Sequence, residues 1–147
     1  MSDARFPVEA TIGAGERGRQ AALRLDGFDL TASAPAELGG KGAGTSPEAL
    51  VAAGALACWS LTFEAVLKRR DLPFASIEAR AEAVVSGVPG SDRYSAVRFS
   101  ARVLSGDPVR GADYEAAARR ALERSFIVHA LSGGTIEFSV GSVTTSG

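Results

Sequence analysis

Phe6, Val8, Ala10 and Ile12 recur at every second position, the period of a strand with one buried face. That run ends at Gly13-Ala14-Gly15. After the polar cluster Glu16-Arg17-Gly18-Arg19, alternation resumes through Ala21, Leu23 and Leu25, pauses at Asp26-Gly27, and continues through Phe28, Leu30 and Ala32. Asp-Gly between two alternating runs predicts a tight hairpin, because both central positions of a type I′ turn require positive φ. From Ala49 to Phe63 the pattern changes to an unbroken uncharged run, too long for a strand. Ser46 is a suitable N-cap, Pro47 fits the first helical position, and Glu48 complements the positive end of the helix dipole. The spacing predicts a helix from Pro47 to about Arg70, ending at Asp71-Leu72-Pro73. Fifteen residues without a charge on any face require cover all round. A single layer of five or six strands would cover one side, leaving the other for a second helix or another subunit.

Alternation returns at Ile77, Ala79, Ala81 and Ala83, and again at Val97, Phe99, Ala101 and Val103, joined by a hairpin loop from Ser86 to Arg93. An amphipathic helix follows from about Ala112 to Arg124, carried by Tyr114, Ala117, Ala118, Ala121 and Leu122. A short apolar piece, Phe126 to Leu131, leads to Gly133-Gly134 and a last strand through Ile136 and Phe138. The order β-β-β-α-β-β-α-β reads as one α+β domain over residues 1–147.

Charge and composition narrow the setting. Sixteen basic against 17 acidic residues give a net charge of −1, with no basic excess to hold a phosphate backbone, so nucleic acid is not expected as a partner. The N-terminal residues lack the basic-then-apolar order of a signal peptide, and a single cysteine excludes a disulfide within the chain. Both point to a reducing cytoplasm. The uncharged run is shorter than the roughly 20 residues that cross a bilayer, so no membrane association is expected. Gly39-Gly40-Lys41-Gly42 is not a phosphate loop, since the lysine is followed by glycine rather than Ser or Thr. One Cys and one His without CxxC spacing fall short of a metal site, and no cofactor is implied. Ser60, Ser125 and His129 occur without an elbow motif, which gives hydrolytic chemistry no support.

The candidate chemistry therefore centres on Cys58. A cysteine buried in apolar surroundings is a small, inert hydrophobe. Cys58 lies nearly three turns inside the helix, beyond the reach of the dipole at its start, so a reactive sulfur needs a cation from elsewhere. Helical side chains lean toward the N-terminus, which places the sulfur over Gly54 and Ala55. The space beside Gly54 suits either a closely crossing helix or a substrate.

The run Gly44-Thr45-Ser46-Pro47-Glu48-Ala49-Leu50-Val51-Ala52-Ala53-Gly54-Ala55-Leu56-Ala57-Cys58 resembles the Thr-Asn-Pro-Glu-x-Leu-x-Ala-Ala-x-x-x-Ala-Cys signature of the OsmC/Ohr family, the osmotically induced and organic hydroperoxide resistance proteins. The likeness extends upstream through Glu37-Leu38-Gly39-Gly40 and along the whole element order. It implies a thiol-dependent peroxidase of oxidative-stress defence, built as an intertwined homodimer around two long buried helices. Cys58 matches the family's peroxidatic cysteine and Glu48 its glutamate. Arg17 is the best match for the activating arginine, with Arg19 as the alternative. Under this reading Trp59, Phe63, Phe126 and Ile127 supply an apolar wall suited to organic hydroperoxides, with Gly54 and Ser125 also placed beside the substrate. One position departs from the pattern: the family's resolving cysteine corresponds here to Ser125, which cannot form a disulfide. A single-cysteine cycle using an external thiol reductant is then expected. The alternatives are a lapsed enzyme binding a small apolar ligand, or a redox sensor at Cys58. His129, one turn beyond Ser125, is either near the site or an ordinary partly buried residue.

Overall fold

The computed structural model describes residues 1–13 and 20–147. Its element order is β1 (Val8–Ile12), β2 (Gln20–Leu25), β3 (Phe28–Ser33), α1 (Pro47–Arg69), β4 (Ser76–Ser86), β5 (Arg93–Leu104), α2 (Gly111–Arg124), α3 (Phe126–Leu131) and β6 (Glu137–Thr145). This is the expected α+β order with one addition: the apolar piece after α2 is a six-residue helix. The strands do not form one layer. β1, β2 and β3 make one antiparallel sheet, and β4, β5 and β6 make another in which β6 runs parallel to β5.

The first sheet contains the predicted turn, with Asp26 at φ 38° and Gly27 at φ 79°, both left-handed as type I′ requires. Its expected buried face, however, is only partly covered by the described residues: Ala32 and Ser33 are buried, while Ala21, Leu23, Leu25 and Leu30 are half-buried. Every residue of β1 is exposed, because the sheet makes few contacts with the rest of its own chain. It is tied on mainly by the segment before α1. There the Ser33 N–H donates to the Thr45 carbonyl (2.9 Å), the Thr45 N–H to the Thr31 carbonyl (3.0 Å), and the Ser33 hydroxyl to the Ala43 carbonyl (2.7 Å). Gly44, at φ 70°, is forced by this stitch: a Cβ would lie 2.2 Å from the Thr31 oxygen.

The core forms where α1 and α2 pack together on the second sheet. Along β5 the odd positions Val97, Phe99, Ala101 and Val103 are buried, as their alternation predicts, and α2 contributes Tyr114, Ala117, Ala118 and Ala121. From α1 come Ala55, Trp59, Phe63, Val66 and Leu67, at i, i+4 and i+3 spacing on one face.

The opposite face of α1 carries Val51, Ala53, Gly54, Ala57 and Leu61, all exposed within this chain. The helix is therefore only half covered by the described residues of its own chain, and the second helix does not cover the other side, for which another subunit is the expected alternative. Its 23 residues also exceed the uncharged run, so by length and composition it is long enough to cross a bilayer, with 33% of its most apolar window buried. The start is capped as predicted, the Ser46 hydroxyl accepting from the Ala49 N–H at 3.1 Å. The end is a Schellman closure: the Leu72 N–H donates to the Leu67 carbonyl (3.0 Å) and the Asp71 N–H to the Lys68 carbonyl (3.3 Å), with Asp71 left-handed at φ 51°.

Candidate functional site

Cys58 sits mid-helix on α1, at the edge between the packed and the exposed face, and is half-buried. Its sulfur accepts a hydrogen bond from the Ser125 hydroxyl at 3.0 Å. Ser125 is fully buried at the joint of α2 and α3 and held by its backbone. Its N–H donates to the Ala121 carbonyl and its carbonyl accepts from the His129 N–H, both at 2.9 Å. A serine at the first position before a helix ordinarily caps it, but here the side chain makes no cap bond to α3. The hydroxyl goes to the sulfur instead.

On the N-terminal side of the sulfur, a Cβ built at Gly54 would meet nothing within 4 Å. Among the described residues no helix crosses closely there, so the space foreseen beside the thiol is open to them. One turn beyond, the Thr62 hydroxyl donates to the Cys58 carbonyl (2.7 Å) and the Ser60 hydroxyl to the Leu56 carbonyl (2.6 Å). Both side chains turn back on the helix, which is how polar residues are accommodated in its apolar middle.

Glu48 lies in the first turn of the same helix, ten residues before Cys58, or about 15 Å at 1.5 Å per residue. The two do not meet. Its Oε2 is sealed from solvent and has no hydrogen-bond partner among the described residues. A buried carboxylate oxygen without a partner is costly, so the position calls for a donor, best a guanidinium. Arg17 and Arg19, the candidates for that cation, lie outside the described residues.

Tyr94, which the sequence did not single out, anchors this end of α1. Its hydroxyl donates to the Glu48 carbonyl at 2.7 Å, and its own carbonyl accepts from the Thr135 hydroxyl at 2.7 Å. Burial first, and the negative charge of Glu48 second, raise the phenol above its ordinary value of 10.0. Simple alternation hides this residue. The core positions of β5 are odd-numbered, but β4 pairs Val84 with Ala96 and Val85 with Tyr94, so a bulge at Ser95 shifts the phase and turns Tyr94 inward.

The expected apolar wall is dispersed. Trp59 and Phe63 are fully buried in the core of this chain. The Trp59 indole N–H donates to the Ala118 carbonyl (3.1 Å), and its ring stacks on Phe63 (centroids 5.4 Å) and Phe99 (5.0 Å). Phe126, by contrast, is 74% exposed, while Ile127 is half-buried against the core. His129 is exposed and lines a separate cleft of about 200 Å³ with Leu122, Val128 and Phe138, in which Cys58 has no part. Of the residues read from the sequence, the fold joins Cys58 and Ser125 directly and leaves Gly54 open beside them.

Comparison with known proteins adds the following. The profile of the OsmC-like protein family matches residues 40–140, from the loop before α1 into β6. No curated protein matches the sequence. Among solved structures, an OsmC-like protein of unknown function from Vibrio cholerae is 16% identical, with a TM-score of 0.77 over 95% of this chain and 99% of that one. An organic hydroperoxide resistance protein OsmC from Legionella pneumophila is 24% identical, with a TM-score of 0.74 over 98% and 99%. An organic hydroperoxide resistance protein from Elizabethkingia anophelis is 20% identical, with a TM-score of 0.75 over 99% of each chain.

Proposed function

The chain belongs to the OsmC-like protein family, and from that premise we propose that it is a redox protein of oxidative-stress defence that reduces organic hydroperoxides at Cys58. The observation that carries this reading is the Glu48 Oε2, sealed and without a partner among the described residues, in the first turn of the helix bearing the only thiol. It supports a guanidinium, that of Arg17 or Arg19, held between the carboxylate and the reacting centre. There the cation favours thiolate over thiol and polarises the distal peroxide oxygen. The Cys58 thiolate attacks that oxygen, the O–O bond breaks, and the alkoxide takes a proton to leave as alcohol. Cys58 becomes a sulfenic acid. One external thiol then displaces water to give a mixed disulfide, and a second releases reduced Cys58 and an external disulfide.

The reading includes a homodimer. The uncovered face of α1, with Leu61 67% exposed, and the first sheet, with Val8 and Ile12 at 57% and 68%, support a second copy as their cover. A partner also supports the long reach from Glu48 to Cys58, since residues of both chains would then assemble one site. The cytoplasm is the compartment in which such a lone thiol stays reduced.

The test is intact mass spectrometry of the reduced protein after one equivalent of cumene hydroperoxide with dimedone present. One dimedone adduct at Cys58, absent in Cys58→Ser and slowed in Arg17→Ala, is expected. An unmodified Cys58 would end the peroxidase reading and favour a ligand pocket in the open space beside Gly54.

A further inference from the structure

The Ser125 hydroxyl is unusual in where it spends its single proton. A serine oxygen has one donor and two acceptor sites, and this residue, fully buried and standing before α3, has a local use for an acceptor as a helix cap. That cap is not made, and the proton is given to the Cys58 sulfur. Because the backbone of Ser125 is bonded on both sides, to Ala121 and His129, the hydroxyl is fixed by the joint of two helices rather than by its own rotamer alone. We infer that Ser125 is a positioning residue for the reacting thiol, an O–H donor preorganised for the Cys58 thiolate.

A hydrogen bond to a charged acceptor is roughly twice as strong as one to a neutral acceptor. The O–H···S contact therefore strengthens as charge develops on the sulfur, and it fixes the direction of the sulfur lone pair that attacks. It also sets the fate of the oxidised sulfur. The atom touching Cys58 is an oxygen, so no disulfide forms at this contact, and the sulfenic acid waits for a thiol from solution. This inference rests on Cys58 as the reacting group, but its first test needs no peroxide.

The experiment is alkylation of Cys58 by iodoacetamide across pH in the wild-type protein, Ser125→Ala and Ser125→Cys, with circular dichroism of each. In Ser125→Ala, alkylation at pH 7 is expected to slow by about tenfold, the scale of one hydrogen bond to a charged group. Its pH profile is expected to move upward. A merely structural serine would leave that profile in place. Ser125→Cys is nearly isosteric and guards against misfolding of the alanine variant. A thiol at a position now 3.0 Å from the sulfur is close enough to contract to a disulfide of about 2.05 Å. One equivalent of cumene hydroperoxide should then remove both thiols, giving the disulfide, one alcohol and one water, without a dimedone adduct. Unchanged rate and pH profile in Ser125→Ala would overturn the role of Ser125 even if Cys58 reduces hydroperoxides. Loss of thiolate reactivity in Ser125→Ala alongside a wild-type Cys58 inert to hydroperoxide would uphold Ser125 and overturn the peroxidase reading.

Discussion

Tyr94 and Trp59 show how single residues hold the helix that bears the thiol. Tyr94 ties the first turn of α1 to β5 through the Glu48 carbonyl, with its phenol raised above 10.0 by burial and by the Glu48 charge. A phenol raised in the folded state contributes stability that is complete below the unfolded value near 10 and is lost as pH rises through the raised value. Chemical denaturation between about pH 9 and 11.5 should therefore show a fall in stability that is flatter in Tyr94→Phe, which at neutral pH loses about 1 kcal/mol with the hydrogen bond. An identical alkaline slope in the two proteins would refute it. Trp59 fills the core between Phe63 and Phe99, so Trp59→Ala should cost about 3–5 kcal/mol in urea unfolding. The sequence identified Cys58, Glu48 and Ser125 by their place in a motif, yet it could not show a 3.0 Å contact between residues 67 positions apart. Nor could it separate a core tryptophan from a substrate wall, since both read as an aromatic on an apolar helix.

At the scale of elements, local chemistry was legible wherever it is decided by neighbours in the chain. Ser46-Pro47-Glu48 starts α1 and Asp26-Gly27 turns the hairpin because cap geometry and positive φ are set within four residues. The six-residue α3 was not legible, since a short apolar run has the same pattern as a strand or a helix. The division into two sheets was equally hidden: periodicity reports that a strand has a buried face but not which strand lies beside it. The end of α1 carries its own prediction. Asp71 occupies a left-handed position that favours glycine, and it places an acidic residue just past the C-terminal, negative end of the helix dipole. Asp71→Gly should raise the urea midpoint by the equivalent of about 0.5–1 kcal/mol without altering Cys58 alkylation.

For the whole molecule, the uncovered face of α1 is the feature that the sequence announced and the single chain leaves unresolved. An uncharged helix demands cover on every side, and this fold supplies about half of it. Leu61 is the most exposed large side chain of the open face, so in the proposed dimer Leu61→Glu would bury a charge. Sedimentation velocity at micromolar concentration should show the wild type as a dimer and Leu61→Glu as a monomer, with dimedone capture reduced in the variant. Two proteins of equal size would refute the arrangement. The slender attachment of the first sheet, through Thr45 and its neighbours, has a further consequence in hydrogen exchange. β2 is the middle strand of the first sheet as β5 is of the second, but β5 lies over the core whereas β2 and β3 are held by strand pairing and the Thr45 stitch. The chain should contain two cooperative units, the strands before α1 opening alone and often, the rest opening only with global unfolding. If a second copy covers the first sheet, dilution will erase protection in β2 and β3 long before it touches β5.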